Sequence, residues 1–186
     1  MNLILVGFMA SGKTSVGRRI GRRLGFRFMD TDQFIESEQG TTISEIFDIG
    51  SEEYFRGLEV QLLKRIQPLD NYIFATGGGI LATDGNMAQL KLLGTVVFLN
   101  ADIEGIIQRL ENDSRRPMLQ GENFRERVTE LLARRMPGYL ESDVVIDTAG
   151  KTPNQVAGEV IYRVGDFRRL VAQSTDSQIL TQPNTE

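Results

Sequence analysis

Residues 7–14 read GFMASGKT, so Gly7 and Gly12 bracket a short loop and Lys13 and Thr14 follow at once. This is the spacing G-x-x-x-x-G-K-[ST], the pattern of a loop that wraps phosphate. Glycines let successive backbone N–H groups turn inward around phosphate oxygens, and a helix starting there adds the positive end of its dipole. Lys13 reaches the β- and γ-phosphates, the Thr14 hydroxyl is a ligand for Mg²⁺, and Ala10, Ser11 and Ser15 complete the wrap. The expected ligand is a nucleoside triphosphate. ATP is favoured over GTP, since no Asn-Lys-x-Asp guanine reader occurs.

Three further stretches could act on such a ligand. In DTD, Asp30 and Asp32 lie two residues apart after an apolar run. One acid there can orient Mg²⁺, and a second can accept a hydrogen bond from an attacking hydroxyl; the alternative for Asp32 is to cap the next helix. In TGGG, Gly77, Gly78 and Gly79 leave backbone groups open to a closely approaching polar ligand. Arg56 stands beside an apolar helical stripe, where an i,i+3 pair with Glu59 would equally explain it. A late DTAG, Asp147 to Gly150, has the form of a GTPase element, but its place after the last apolar run reads as a strand-to-helix turn.

The elements that must position these residues are legible as periodicities. Five apolar runs, 3–6, 26–30, 72–76, 95–99 and 143–147, read as buried strands. Between them lie helical stripes such as Phe55, Leu58, Leu62, Ile66 and Val156, Val160, Ile161, Val164. TISE from Thr42 has capping-box form, and Asp102 suits an N-cap. The pattern predicts an α/β fold with a five-stranded parallel sheet flanked by helices on both faces, its ligands at the carboxyl ends of the strands. Residues 1–173 form the expected single domain, with a mobile lid at about 111–123 and a polar, unstructured tail at 174–186.

Composition narrows the function. The 186 residues contain no Cys and no His, which removes Ser-His-Asp and Cys-His catalysis, disulfides and the usual zinc cages. A formal net charge of -4 argues against nucleic acid as a partner. The start MNLILVGF is too short for a membrane span and has no basic leader, so no membrane is expected and a cytoplasmic protein is. A small transferase fits this length better than a motor or a switch.

Taken together, GFMASGKTSVGRR, FMDTDQFIE, TTISEIFDIGSEEYFRGLE, ATGGGI, RRPML and RRMPGYLESDVVIDT resemble, in order and spacing, the shikimate kinases, small-metabolite kinases of the P-loop NTPase type. The resemblance implies ATP-dependent phosphorylation of the 3-hydroxyl of shikimate by a monomer, with ATP and Mg²⁺ and an acceptor-binding segment at about 31–62. It implies that Asp30 helps hold Mg²⁺ and that Asp32 contacts the acceptor hydroxyls, as base or as holder. Arg56 and Arg135 grip the shikimate carboxylate, Arg134 leaving the register open by one, while Gly77, Gly78 and Gly79 present backbone to the acceptor. Arg116, with Arg115 as the neighbouring choice, closes over the phosphates from the lid, and Arg109 and Pro153 flank the adenine. A related kinase acting on another small acceptor, such as gluconate, is the alternative.

Two departures from the family pattern stand out. Ala10-Ser11 replaces the usual Gly-Ala, and Met118-Leu119 the usual Leu-Leu. A Cβ at Ala10 is expected to demand a negative φ and to alter nucleotide affinity slightly.

Overall fold

The computed structural model describes residues 1–111 and 123–179. The chain runs β1 (Leu3–Val6), α1 (Lys13–Leu24), β2 (Arg27–Asp30), α2 (Thr31–Gln39), α3 (Ile43–Ile66), β3 (Tyr72–Ala75), α4 (Asn86–Leu93), β4 (Thr95–Asn100), α5 (Ile103–Glu111), α6 (Phe124–Leu140), β5 (Val144–Asp147) and α7 (Pro153–Ile179). All strand pairs are parallel, in the order β2-β3-β1-β4-β5. The five expected strands are therefore present, with ends shifted by at most one residue.

Strand alternation divides the core in two. Ile4 and Val6 of β1 join Phe74, Val96 and Phe98 beneath α3, α4, α5 and α6. Leu3 and Leu5 join Ile73, Val97, Leu99 and Ile146 against Val16 and Ile20 of α1 and Val156, Val160 and Val164 of α7. With both faces covered, continuous apolar strands are what the sheet requires.

Local signals set the helix starts. Thr42 and Glu45 form the expected capping box of α3. Asp102 caps α5 by accepting from Gly105 N–H at 2.7 Å. The helix α3 is broken at Ser51, whose φ of 75° and ψ of 163° are not helical. DTAG is the turn that leads from β5 to α7, with Ala149 N–H donating to Asp147 Oδ1 at 3.1 Å and Gly150 left-handed at φ 67°.

Two boundaries differ from the sequence reading or pass beyond it. The helix α7 continues to Ile179, so residues 174–179 of the expected tail are helical: extending a helix that is already packed is far easier than nucleating one, even through polar sequence. Residues 180–186 and 112–122, which hold most of the expected lid and with it Arg115 and Arg116, lie outside the described residues.

At the amino end of the sheet Asn2 is 4% exposed and saturates three backbone groups. Its Nδ2 donates to Leu69 O (2.7 Å) and Leu93 O (3.1 Å), and its Oδ1 accepts from Tyr72 N–H at 3.0 Å. Removing them strands buried backbone groups, so Asn2→Ala is expected to lower the unfolding free energy in urea by about 2–3 kcal/mol. A change within error would mean that water replaces the side chain.

Candidate active site

The loop after β1, DTD after β2 and TGGG after β3 all open at the carboxyl ends of adjacent parallel strands, so one edge of the sheet collects the chemistry. Lys13, the first residue of α1, is 8% exposed and folds back over the loop. Its ammonium donates to Gly7 O and Phe8 O at 2.8 Å each, and to Ser11 Oγ at 3.4 Å. Thr14 Oγ1 donates to Asp30 Oδ2 at 2.6 Å, so the two expected metal ligands are already neighbours. Both are hard oxygen donors, which suits Mg²⁺ completed by phosphate oxygens and water. Ser15 is exposed on α1.

Ala10 overturns one expectation. Its φ is 58°, so the alanine has accepted the left-handed conformation that the loop imposes, at a cost of roughly 1–2 kcal/mol for an L-residue. Arg109 reaches it from α5, with Nη1 donating to Ala10 O at 2.7 Å. Pro153 opens α7 beyond β5 and makes no hydrogen bond to the phosphate loop.

The two aspartates divide their work differently from the capping alternative. Asp30, not Asp32, is the N-cap of α2, its Oδ1 accepting from Gln33 N–H at 3.3 Å. Asp32 sits in the first turn and points at the triple glycine, where it is the nearest group to any side chain added at Gly77.

The triple glycine is the floor on which the other groups converge. Thr31 Oγ1 accepts from Gly77 N–H at 3.1 Å. Gly78 O accepts from Tyr139 OH at 2.6 Å and from Arg135 Nη1 at 3.0 Å. A Cβ on Gly78 would press on the Met9 backbone N at 3.0 Å, and one on Gly79 would meet Arg56 Nη2 at 2.5 Å. A side chain would thus have to push the Met9 backbone aside slightly at Gly78 and displace the Arg56 guanidinium at Gly79. Arg135 is half-buried and lies over the Phe8 ring, whereas Arg134 is exposed.

Arg56 turns out to pair with Glu59 and also to face the glycine floor. Its Nη1 donates to Glu59 Oε2 at 2.6 Å, and its Nη2 and Nε donate to Glu52 Oε1 at 2.8 and 3.3 Å. These contacts use three of the five guanidinium N–H groups. Glu59, which the sequence offers only as a helix partner of Arg56, is a buried member of this cluster. It is 1% exposed, and its Oε1 has no hydrogen-bond partner among the described residues. The available signal was an acid in register with the apolar stripe Phe55, Leu62 and Ile66.

Burial dominates the protonation of these groups. It pushes Glu59 up to about 7, against the opposing pull of Arg56 and with help from Asp32. It also pushes the Tyr139 hydroxyl up to about 12, keeping it a donor to Gly78 O. The folded protein thus holds a proton on Glu59 to about pH 7, while the unfolded chain releases it near 4.5. Its stabilising contribution is complete below that lower value and is lost as the pH rises through the upper one. The stability advantage of the native protein over Glu59→Gln, measured by urea unfolding, is expected to be larger near pH 4.5 than at about pH 8. A constant difference would mean that Glu59 titrates alike in the folded and the unfolded chain.

Comparison with known proteins places this geometry. The family model described as shikimate kinase matches residues 9–164. A shikimate kinase of Thermodesulfovibrio yellowstonii is 46% identical over 169 residues, covering 91% of this chain and 96% of its own. Among solved structures, shikimate kinase from Acinetobacter baumannii in complex with shikimate aligns with a TM-score of 0.84 and 36% identity, covering 89% of this chain and 93% of that one. A gluconokinase from Sinorhizobium meliloti, at 15% identity and a TM-score of 0.57 over 95% of this chain and 96% of its own, shares the fold alone. A parallel sheet with a phosphate loop at one switch point, and two arginines meeting over three glycines, is thus the form this family takes here: the chain belongs to the shikimate kinase family.

Proposed function

We propose that this chain transfers the γ-phosphoryl group of ATP to the 3-hydroxyl of shikimate, acting as a monomer in the cytoplasm. The observation that carries the reading is the meeting of Arg56 from α3 and Arg135 from α6 on the glycine floor, two cations from separate elements facing one small space. A planar guanidinium suits a carboxylate through paired N–H bonds, and the acceptor has one carboxylate and several hydroxyls. None of the described helices is long and apolar enough to cross a membrane.

On this reading Gly7, Ala10, Ser11, Gly12 and Ser15 wrap the phosphates, and Lys13 exchanges its loop carbonyls for β- and γ-phosphate oxygens. Thr14 and Asp30 hold Mg²⁺, which neutralises charge on the phosphates when bound. Asp32 holds the attacking hydroxyl and takes its proton as the oxygen bonds to phosphorus and ADP leaves. Arg116 adds positive charge from the lid, while Pro153 and Arg109 border the nucleotide base. Phosphoryl transfer asks little covalent work of a protein, so positioning and preorganised charge supply the acceleration. Excluding water from the γ-phosphate keeps transfer ahead of hydrolysis.

Three outcomes test this. ADP release with ATP and Mg²⁺ is expected to depend on shikimate; release driven by gluconate, or by no acceptor, would overturn the assignment. Lys13→Met is expected to slow turnover by roughly 10²-fold or more, and native turnover in that variant would remove Lys13 from the mechanism. Arg56→Ala and Gly79→Ala, the second by crowding the guanidinium, are expected to raise KM for shikimate roughly tenfold or more and leave KM for ATP nearly unchanged. Equal losses for both ligands would make Arg56 a structural residue.

A further inference from the structure

The phosphate loop contains a conformational conflict that another element of the chain resolves. Ala10 is held at φ 58°, where an L-residue is disfavoured, and the peptide that follows it is fixed at both ends. On one side Ala10 O accepts from Arg109 Nη1 at 2.7 Å; on the other Ser11 N–H donates to Phe8 O at 3.2 Å. The relaxed alternatives for alanine, right-handed or extended, differ from the left-handed one in ψ as well as φ, and the change in ψ reorients this peptide. That rotation carries Ser11 N–H out of the loop and breaks the Arg109 contact. Arg109 comes from α5, 99 residues away in sequence, so the contact ties a remote helix to the loop.

We infer that Arg109 is a positioning residue for the phosphate loop: by holding the Ala10 carbonyl, it keeps the strained loop in its phosphate-binding shape before nucleotide arrives. The inference rests on the phosphate-loop reading of residues 7–14 and is independent of the acceptor. It gives Arg109 a task that needs no adenine. A glycine at position 10 would make the left-handed conformation nearly free of strain, and the contact would then matter little. The dependence on Arg109 is therefore a consequence of the alanine that this chain carries.

The test separates loop positioning from contact with the base and from charge alone. Binding of Mg²⁺-tripolyphosphate, which has no adenine, is measured by calorimetry for the native protein, Arg109→Ala, Ala10→Gly and the double variant. Arg109→Ala is expected to weaken binding roughly 5- to 10-fold in the native background and about twofold or less in the Ala10→Gly background. Unchanged affinity in Arg109→Ala would confine Arg109 to the base, and equal losses in both backgrounds would reduce it to a general positive charge; either overturns the inference. Native protein that fails to bind tripolyphosphate would overturn the phosphate-loop reading, and this inference with it. Arg109 is solvent-exposed, so its removal leaves the core packing intact.

Discussion

The site depends on how closely backbone can approach backbone at the carboxyl edge of the sheet. Gly78 lies against the Met9 backbone, so the loop after β3 and the phosphate loop touch without side chains between them. A Cβ there would already be tighter against that backbone than an ordinary contact. The same floor supplies Gly78 O to Tyr139 and Arg135, which brings the far end of α6 into the cleft. Groups from α2, α3 and α6 therefore converge on a stretch whose contribution is the absence of side chains.

With neither His nor Cys in the chain, every charged task falls to carboxylates, Lys and Arg. Such groups are costly to bury singly, and each buried or half-buried member here has a countercharge or a carbonyl within reach. Lys13 rests on loop carbonyls, Arg135 on Gly78 O, and Arg56 on the Glu52 carboxylate and a carboxyl oxygen of Glu59. Glu59 takes the remaining option, which is to keep its proton to about pH 7.

The strands were legible because a parallel sheet covered on both faces needs unbroken apolar runs, and the phosphate loop because its spacing is dictated by phosphate geometry. The Arg134/Arg135 choice needed the helix itself, since only the rotation of α6 decides which arginine turns inward. The cap of α2 went to Asp30 because α2 starts at Thr31, and sequence cannot place a helix start to one residue. Ala10 misled because the closure of the loop overrides the preference of one residue. Glu59 was visible as a pair with Arg56, and its register with Phe55, Leu62 and Ile66 was the one local sign of its burial. Arg116 was named from its motif alone, and it lies outside the described residues.

On the proposed role of Arg56 as a carboxylate ligand, the Glu52 contact bears on how an acceptor comes and goes. Glu52 stands just after the break at Ser51 and occupies the Nε and Nη2 side of Arg56, with two-thirds of its own side chain in solvent. An incoming carboxylate that takes this side replaces one anion by another, so the guanidinium is at no stage a bare, desolvated cation. The contact distinguishes acids from neutral molecules, since only an anion can take the place of Glu52, yet it adds only the difference between two similar bonds to affinity. Selectivity is thereby uncoupled from tight retention, which suits a site that must release its product on every cycle.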